Sequence, residues 1–181
     1  MRNLCARDVM TPEVTTISQD VPVEELIALL RASHFSGIPV VDADGRAVGL
    51  VSETDILRAL AYTVGPPGSG EFASTFQAGK KRVSSVLIDA AGHDDLHAAA
   101  ALRELTARPV RDLMTPYVHH CAADAPMVEV CEMMAWKEIR RVVVLDEERR
   151  PVGMISSIDL LQRLGEWLRK DVDKAAGGSG A

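Results

Sequence analysis

The chain has 181 residues, 47% of them hydrophobic and 25% charged, with a formal net charge of −6. That is ordinary for a globular protein with one sizeable core or two small ones, and the acidic balance excludes a nucleic-acid binder resting on a broad basic face. No apolar run is long enough to span a membrane, and no apolar stretch behind Arg2 suggests a signal peptide. Cys5, Cys121 and Cys131 are odd in number and irregularly spaced. A disulfide framework is not expected, and a reducing, cytoplasmic setting is.

In chain order, Val14 to Ile17 is a β-branched run that predicts a strand. Asp20-Val21-Pro22 then opens a helix, with Asp20 as the N-cap candidate and Glu24 and Glu25 in the first turn. Leu26, Ile27, Leu29 and Leu30 supply its buried face. Ile38 to Val41 and Val48 to Val51 flank Asp44-Gly45, a tight-turn signal, and read as a hairpin. Ser52 caps a second helix from about Glu53 to Tyr62, with Ile56, Leu57 and Leu60 on its inner face.

The same order then recurs. Arg7-Asp8-Val9-Met10-Thr11-Pro12 returns as Arg111-Asp112-Leu113-Met114-Thr115-Pro116, a shift of 114 − 10 = 104 residues. Without a gap, the 54 positions from Arg7 to Leu60 hold 18 identities with their partners, against the three or four, roughly, that ordinary composition gives by chance. The second copy therefore predicts a strand over Val118–Cys121 and a helix opened by Asp124-Ala125-Pro126. Its hairpin is Val142–Leu145 with Val152–Ile155, and Ser156 caps a last helix to about Lys174. The expected fold class is α/β (α+β). The expected parts are a first repeat over residues 1–62, an insertion over 63–109, a second repeat over 110–176 and a loose tail over 177–181. In the insertion, Gly65 to Gly70 is a loop and Asp94 to Ala107 a helix ended by Pro109.

Several constellations carry little chemistry. His93 and His97 are four apart, but with His119, His120 and Cys121 they match no strong metal motif. Lys80-Lys81-Arg82 reads as a charged loop. Cys121 and Cys131 align with Ile17 and Ile27 and read as small buried apolar residues. Met133, Met134 and Trp136 read as core or a dimer face. No nucleophile–base–orienter set and no phosphate-binding P-loop motif is present, so no enzyme activity is expected.

The helix starts are more informative. Asp55 and Asp159 stand one turn into the second helix of each copy. A carboxylate can accept both hydroxyls of a ribose, and a helix N-terminus suits phosphate. Ser52, Thr54, Ser156 and Ser157 add hydroxyls. Gly37-Ile38-Pro39 could line an apolar slot for a base, with close backbone approach. A Ser followed three residues later by Asp is also an ordinary capping arrangement.

These pieces resemble a tandem pair of cystathionine β-synthase (CBS) domains, the Bateman module. They are Asp8-Val9-Met10-Thr11-Pro12, Ser36-Gly37-Ile38-Pro39-Val40-Val41-Asp42 and Gly49-Leu50-Val51-Ser52-Glu53-Thr54-Asp55-Ile56, each with its counterpart in the second copy. The resemblance covers about Arg7 to Tyr62 and Arg111 to Leu164, and leaves out the segment from Gly65 to Ala107. It implies two β-α-β-β-α repeats packed through their sheets with pseudo-twofold symmetry. It also implies a regulatory ligand rather than a required cofactor: AMP, ADP, ATP or S-adenosylmethionine, held in clefts between the repeats. Met10, Thr11, Ser36, Met114, Thr115 and Val142 join the cleft residues on the same grounds. A homodimer through the long helices and an unknown regulated protein are the implied partners. The alternative is an interaction module that kept the fold and lost the ligand. Some large enzymes, inosine monophosphate dehydrogenase among them, carry the module beside a catalytic barrel. Such a barrel alone needs about 250 residues and does not fit within this chain.

The two copies differ. Arg140-Arg141 replaces Ser36-Gly37, which favours a phosphate. By family analogy each cleft joins the aspartate of one repeat to the middle strand of the other. Asp55, Ser52 and Thr54 are then expected to face Arg140 and Arg141, and Asp159 and Ser156 to face Ser36, Gly37 and Ile38.

Overall fold

A computed structural model describes residues 4–32, 37–64 and 96–177. Its elements are β1 (Thr11–Pro12), β2 (Ile17–Ser18), α1 (Val23–Ala32), β3 (Gly37–Val41), β4 (Ala47–Ser52), α2 (Glu53–Val64) and α3 (Leu96–Ala107), followed by β5 (His120–Ala122), α4 (Met127–Trp136), β6 (Arg141–Leu145), β7 (Pro151–Ser156) and α5 (Ser157–Gly177). Short 3-10 turns stand at Ala6–Asp8 and Val110–Asp112. The fold is α+β, and the chain divides into two compact units.

The unit Thr15–Val118 holds a three-stranded sheet in the order β2-β3-β4. β2 runs parallel to β3, and β3 pairs antiparallel with β4. Residues 37–40 are all buried, whereas β4 alternates, burying Ala47, Gly49 and Val51. That alternation is the period-2 signature of a strand with one face on the core. The hairpin turn is closed by Asp42, whose Oδ1 accepts the N–H of Asp44 at 3.0 Å and of Arg46 at 2.9 Å. Gly45 takes the left-handed φ of 79° that the turn requires. Leu26, Ile38, Ile56 and Leu60 make the core, and α3 adds Leu105 to it.

The second unit joins Met1–Val14 to His119–Ala181. Its sheet runs β1-β7-β6-β5. Val130, Val142, Val144 and Ile155 form its core together with Ala6 from the leading segment.

Each unit is thus built from both copies of the repeat. The segment that opens one copy docks on the hairpin of the other, and the two dockings match bond for bond. Ala6 N–H donates to the Ala125 carbonyl at 2.9 Å, and Val110 N–H to that of Val21 at 2.9 Å. Thr11 stands opposite Met154, and Thr115 opposite Leu50. Both pairs obey the 104-residue shift.

This docking corrects the expected caps. α4 has Pro126 at its N-cap with no side-chain bond, so Asp124 does not cap it. The first N–H of α4, on Met127, donates instead to the Leu4 carbonyl at 2.9 Å, and that of α1, on Val23, to the Arg108 carbonyl at 2.8 Å. A neighbouring main chain satisfies the orphan donors, so no aspartate is needed there. Asp20 pairs with Arg111. The first strand of each copy also lies one or more residues later than expected, at Ile17–Ser18 and His120–Ala122. Cys131 is exposed, not buried like its counterpart Ile27. The histidine pair at 93 and 97 and the basic run 80–82 fall outside the residues whose side chains are described.

Candidate functional site

β4 ends at Ser52 and α2 begins at the next residue, so the strand delivers Ser52 directly to the N-cap position. Asp55, one turn on, folds back. Its Oδ2 accepts the Ser52 N–H at 2.8 Å and the Ser52 hydroxyl at 2.7 Å. Its Oδ1 meets Arg58 Nη1 at 3.3 Å. The i,i+3 spacing of Asp55 and Arg58 was visible in the sequence but was not singled out. The antiparallel register puts Gly37 directly opposite Ser52. The start of β3 and the start of α2 therefore meet at one end of the sheet. Ile38 and Pro39 are buried.

The second copy repeats the construction. Asp159 Oδ2 accepts the N–H and the hydroxyl of Ser156, each at 2.7 Å. The Asp159 N–H returns a bond to Ser156 Oγ at 3.3 Å, which completes a reciprocal capping box. Here the residue opposite Ser156 is Arg141, and Ser157 N–H donates to the Arg140 carbonyl at 3.0 Å. Burial, and then the adjacent charge of Arg140, hold the Arg141 guanidinium below its ordinary pKa; Asp159 pulls the other way. Within its own unit, Arg141 thus stands near the carboxylate of its own repeat, Asp159.

The other expected site residues are spread around these two helix starts. Met10 packs over Gly153, and Met114 over Gly49. A Cβ on Gly49 would stand 2.5 Å from Met114 Sδ and 2.9 Å from the Thr115 carbonyl oxygen. The two glycines are gaps that admit the methionines, a pairing that the repeated Met-Thr-Pro and Gly alone did not reveal. Thr11, Thr115, Thr54 and Arg140 are exposed, Ser157 is half-buried, and Val142 is fully buried. Ser36 lies outside the described residues.

A carboxylate oxygen has two lone-pair sites, so capping the helix does not exhaust either aspartate. What each site offers is a backbone edge at the start of a strand, a helix N-terminus with its partial positive charge, and a fixed carboxylate. The second copy adds a half-buried arginine. Among the described residues no three His, Cys, Asp or Glu side chains stand close enough to hold a metal ion.

Fold and site together define a duplicated α+β module. The chain belongs to the CBS domain family, whose domain model matches residues 6–62 and again residues 110–166. It is 26% identical over 158 residues to the uncharacterized protein MJ1426 of Methanocaldococcus jannaschii, covering 87% of this chain and 89% of that one. It is 22% identical over 160 residues to the homoserine O-acetyltransferase of Methanohalobium evestigatum. That match covers 88% of this chain but only 24% of the enzyme's length. Among solved structures, the CBS domain pair of protein MJ0100 in complex with 5′-methylthioadenosine and S-adenosyl-L-methionine superposes with a TM-score of 0.57 at 20% identity. It covers 90% of this chain and 97% of that one.

Proposed function

We propose that this chain is a non-catalytic regulatory module that binds an adenosine-containing ligand at the helix starts described above. The observation that carries the reading is the fixed carboxylate at each of them, Asp55 and Asp159, beside the opening residues of a strand. The ribose hydroxyls fall to the aspartate, and the adenine edge to the backbone around Gly37-Ile38-Pro39 or Arg141-Val142. Met10 and Thr11, or Met114 and Thr115, complete the surroundings on the neighbouring strand. Arg141 beside Asp159 favours a phosphate-bearing ligand, AMP, ADP or ATP, in the second copy. Gly37 in the first copy suits an uncharged adenosyl group such as that of S-adenosylmethionine. The ligand-bound adenosyl complex of the MJ0100 domain pair supports the ligand class. The three free cysteines fit a reducing, cytoplasmic protein. The module works as a homodimer and transmits occupancy to a regulated protein.

One observation favours a second reading. Both aspartates already cap their helices, so a ligand-free interaction module would keep them for stability alone. Thermal shift separates the two, because a ligand that binds only the folded state raises its melting temperature. A rise with at least one of AMP, ADP, ATP and S-adenosylmethionine supports the ligand reading. No rise with any of the four at millimolar concentration overturns it in favour of the interaction module.

A further inference from the structure

We infer that Glu53 is a specificity-determining residue of the first copy. It turns that helix start away from phosphate and toward an adenosyl ligand with a positive charge on its 5′ substituent, such as the sulfonium of S-adenosylmethionine. The inference rests on the proposed function and deepens it by adding the charge that the first site selects. The adenosyl group itself is uncharged, and the charge in question sits on the sulfur attached to it. Glu53 is the first residue of α2, directly after Ser52, and is half-buried. Its counterpart under the 104-residue shift is Ser157, the first residue of α5 and also half-buried. This position borders the opening of the neighbouring strand. In the second copy Ser157 N–H donates to the Arg140 carbonyl at 3.0 Å, and in the first the preceding Ser52 stands opposite Gly37. The aspartate of each copy follows on the same helical turn.

The two copies differ in charge at matched positions. At the strand opening, Ser36-Gly37 stands against Arg140-Arg141, and at the first helical residue Glu53 stands against Ser157. One turn beyond the aspartate, Arg58 stands against Gln162. With the aspartates included, the first copy has two acids and one arginine, and the second has one acid and two arginines. Arg58 Nη1 lies 3.3 Å from Asp55 Oδ1, so that arginine is committed to the aspartate. Among the described residues no ion pair takes up the charge of Glu53. The free N–H groups of a helix start carry a partial positive charge that favours phosphate. A carboxylate on the first residue offsets that charge and repels phosphate, whereas a serine leaves it in place and adds a hydroxyl donor. The same carboxylate attracts a cation. An acid in the first turn also suits the helix itself, which would account for Glu53 with no ligand at all. That helix-stabilising role is blind to the charge of a ligand, so ligand selectivity separates the two.

The test is calorimetry on the full chain with Asp159→Ala as the background, which silences the second copy. The probes are S-adenosylmethionine, S-adenosylhomocysteine and AMP. S-adenosylhomocysteine is the same skeleton without the sulfonium methyl and its charge. With Glu53 in place, S-adenosylmethionine should bind about tenfold more tightly than S-adenosylhomocysteine, the size of one charge interaction near a protein surface, and AMP should bind least. Glu53→Gln keeps the shape and removes the charge. It should bring S-adenosylmethionine down to the level of S-adenosylhomocysteine, leave the latter unchanged and strengthen AMP. Glu53→Asp should keep most of the preference. The reciprocal change, Ser157→Glu in an Asp55→Ala background, should weaken AMP about tenfold and leave adenosine unaffected. Circular dichroism checks that each variant is folded. If S-adenosylmethionine and S-adenosylhomocysteine bind equally, or if Glu53→Gln leaves their ratio unchanged, the inference is overturned while the proposed function stands. A background chain that binds none of the three probes overturns the inference and removes the proposed function from the first copy.

Discussion

Asp159 Oδ2 accepts two hydrogen bonds from Ser156, one from the backbone N–H and one from the hydroxyl, and both are 2.7 Å long. Asp55 does the same for Ser52. Whatever else these carboxylates hold, each ties the end of a strand to the start of a helix. Asp159→Ala and Asp55→Ala should each lower the unfolding free energy by about 0.5–2 kcal/mol without ligand present, the usual range for losing a helix cap. Asparagine at either position keeps an acceptor oxygen and should cost less. Urea denaturation measures this directly, and an alanine variant as stable as wild type would contradict the capping geometry.

Gly49 and Gly153 give a second pair of measurements. An alanine Cβ at Gly49 would meet both the Met114 sulfur and the Thr115 carbonyl, which is backbone and also accepts the Leu50 N–H at 3.0 Å. At Gly153 the near atoms all belong to the Met10 side chain. Overpacking of this kind costs about 1–3 kcal/mol. Gly49→Ala should therefore destabilise more than Gly153→Ala. Met10→Ala should rescue Gly153→Ala, whereas Met114→Ala should rescue Gly49→Ala only in part. A double-mutant cycle in which both rescues are complete would rule out the backbone clash.

The hairpins, the helices after them and the Ser–Asp pairs were legible because each rests on local chemistry. Val40, Asp42, Gly49 and Ser52 announce strand, turn, strand and cap within a dozen residues. The docking of each opening segment on the other copy was not legible. It depends on contacts between residues far apart in the chain, such as Arg7 N–H to the Ala123 carbonyl at 2.8 Å and Val110 N–H to the Val21 carbonyl at 2.9 Å. That one long-range fact also explains the failed caps. Asp20 and Asp124 look like N-caps only until the Arg108 and Leu4 carbonyls arrive at the helix starts. At the candidate site, Asp55 and Asp159 could be named in advance. Which charge stands beside them depends on strand register, and register puts Arg141 opposite Ser156. The exposure of Cys131 has a similar origin: its counterpart Ile27 belongs to the core cluster that Leu105 of α3 also enters.

Arg149 takes a φ of 66° at the position where the first hairpin has Gly45 at 79°. A side chain in the left-handed region costs about 1–2 kcal/mol. Glycine removes that cost but gains freedom in the unfolded chain, which returns part of it. Arg149→Gly should stabilise by about 0.5–1 kcal/mol net, visible as a higher denaturation midpoint with an unchanged slope. The mirror change, Gly45→Arg, should destabilise.

Burial pushes the Cys121 thiol from 9.0 up to about 11. Between about pH 9 and pH 11 the unfolded chain has lost this proton and the folded chain still holds it, so the folded state binds more protons. Stability should then fall as pH rises through that window, and Cys121 should make no such contribution below it. Cys121→Val should flatten the fall. At neutral pH iodoacetamide should modify Cys131, which is exposed, well before Cys121, as peptide mass mapping would show. Faster labelling of Cys121 would mean that its strand opens.

The proposed preference for a phosphate-bearing ligand rests on Arg141 and Asp159. Arg141 is half-buried, begins β6 opposite Ser156, and feels the Asp159 carboxylate. Removing it should weaken AMP or ATP far more than adenosine, because the phosphate loses a charged donor and the ribose keeps Asp159. The loss for one charge-assisted bond is about 1.5–3 kcal/mol, or about tenfold to a hundredfold in affinity. Arg141→Lys keeps the charge but not the planar fork, and should fall between alanine and wild type. Asp159→Ala should weaken adenosine and AMP alike, since both present the same ribose. Asp55→Ala should spare the phosphate-bearing ligand and remove any binding of S-adenosylmethionine in the first copy. Calorimetry on the four variants decides among these outcomes. If Asp55→Ala rather than Asp159→Ala abolishes AMP binding, the ribose of that ligand belongs to the first copy, and the pairing of Arg141 with Asp159 does not define its site.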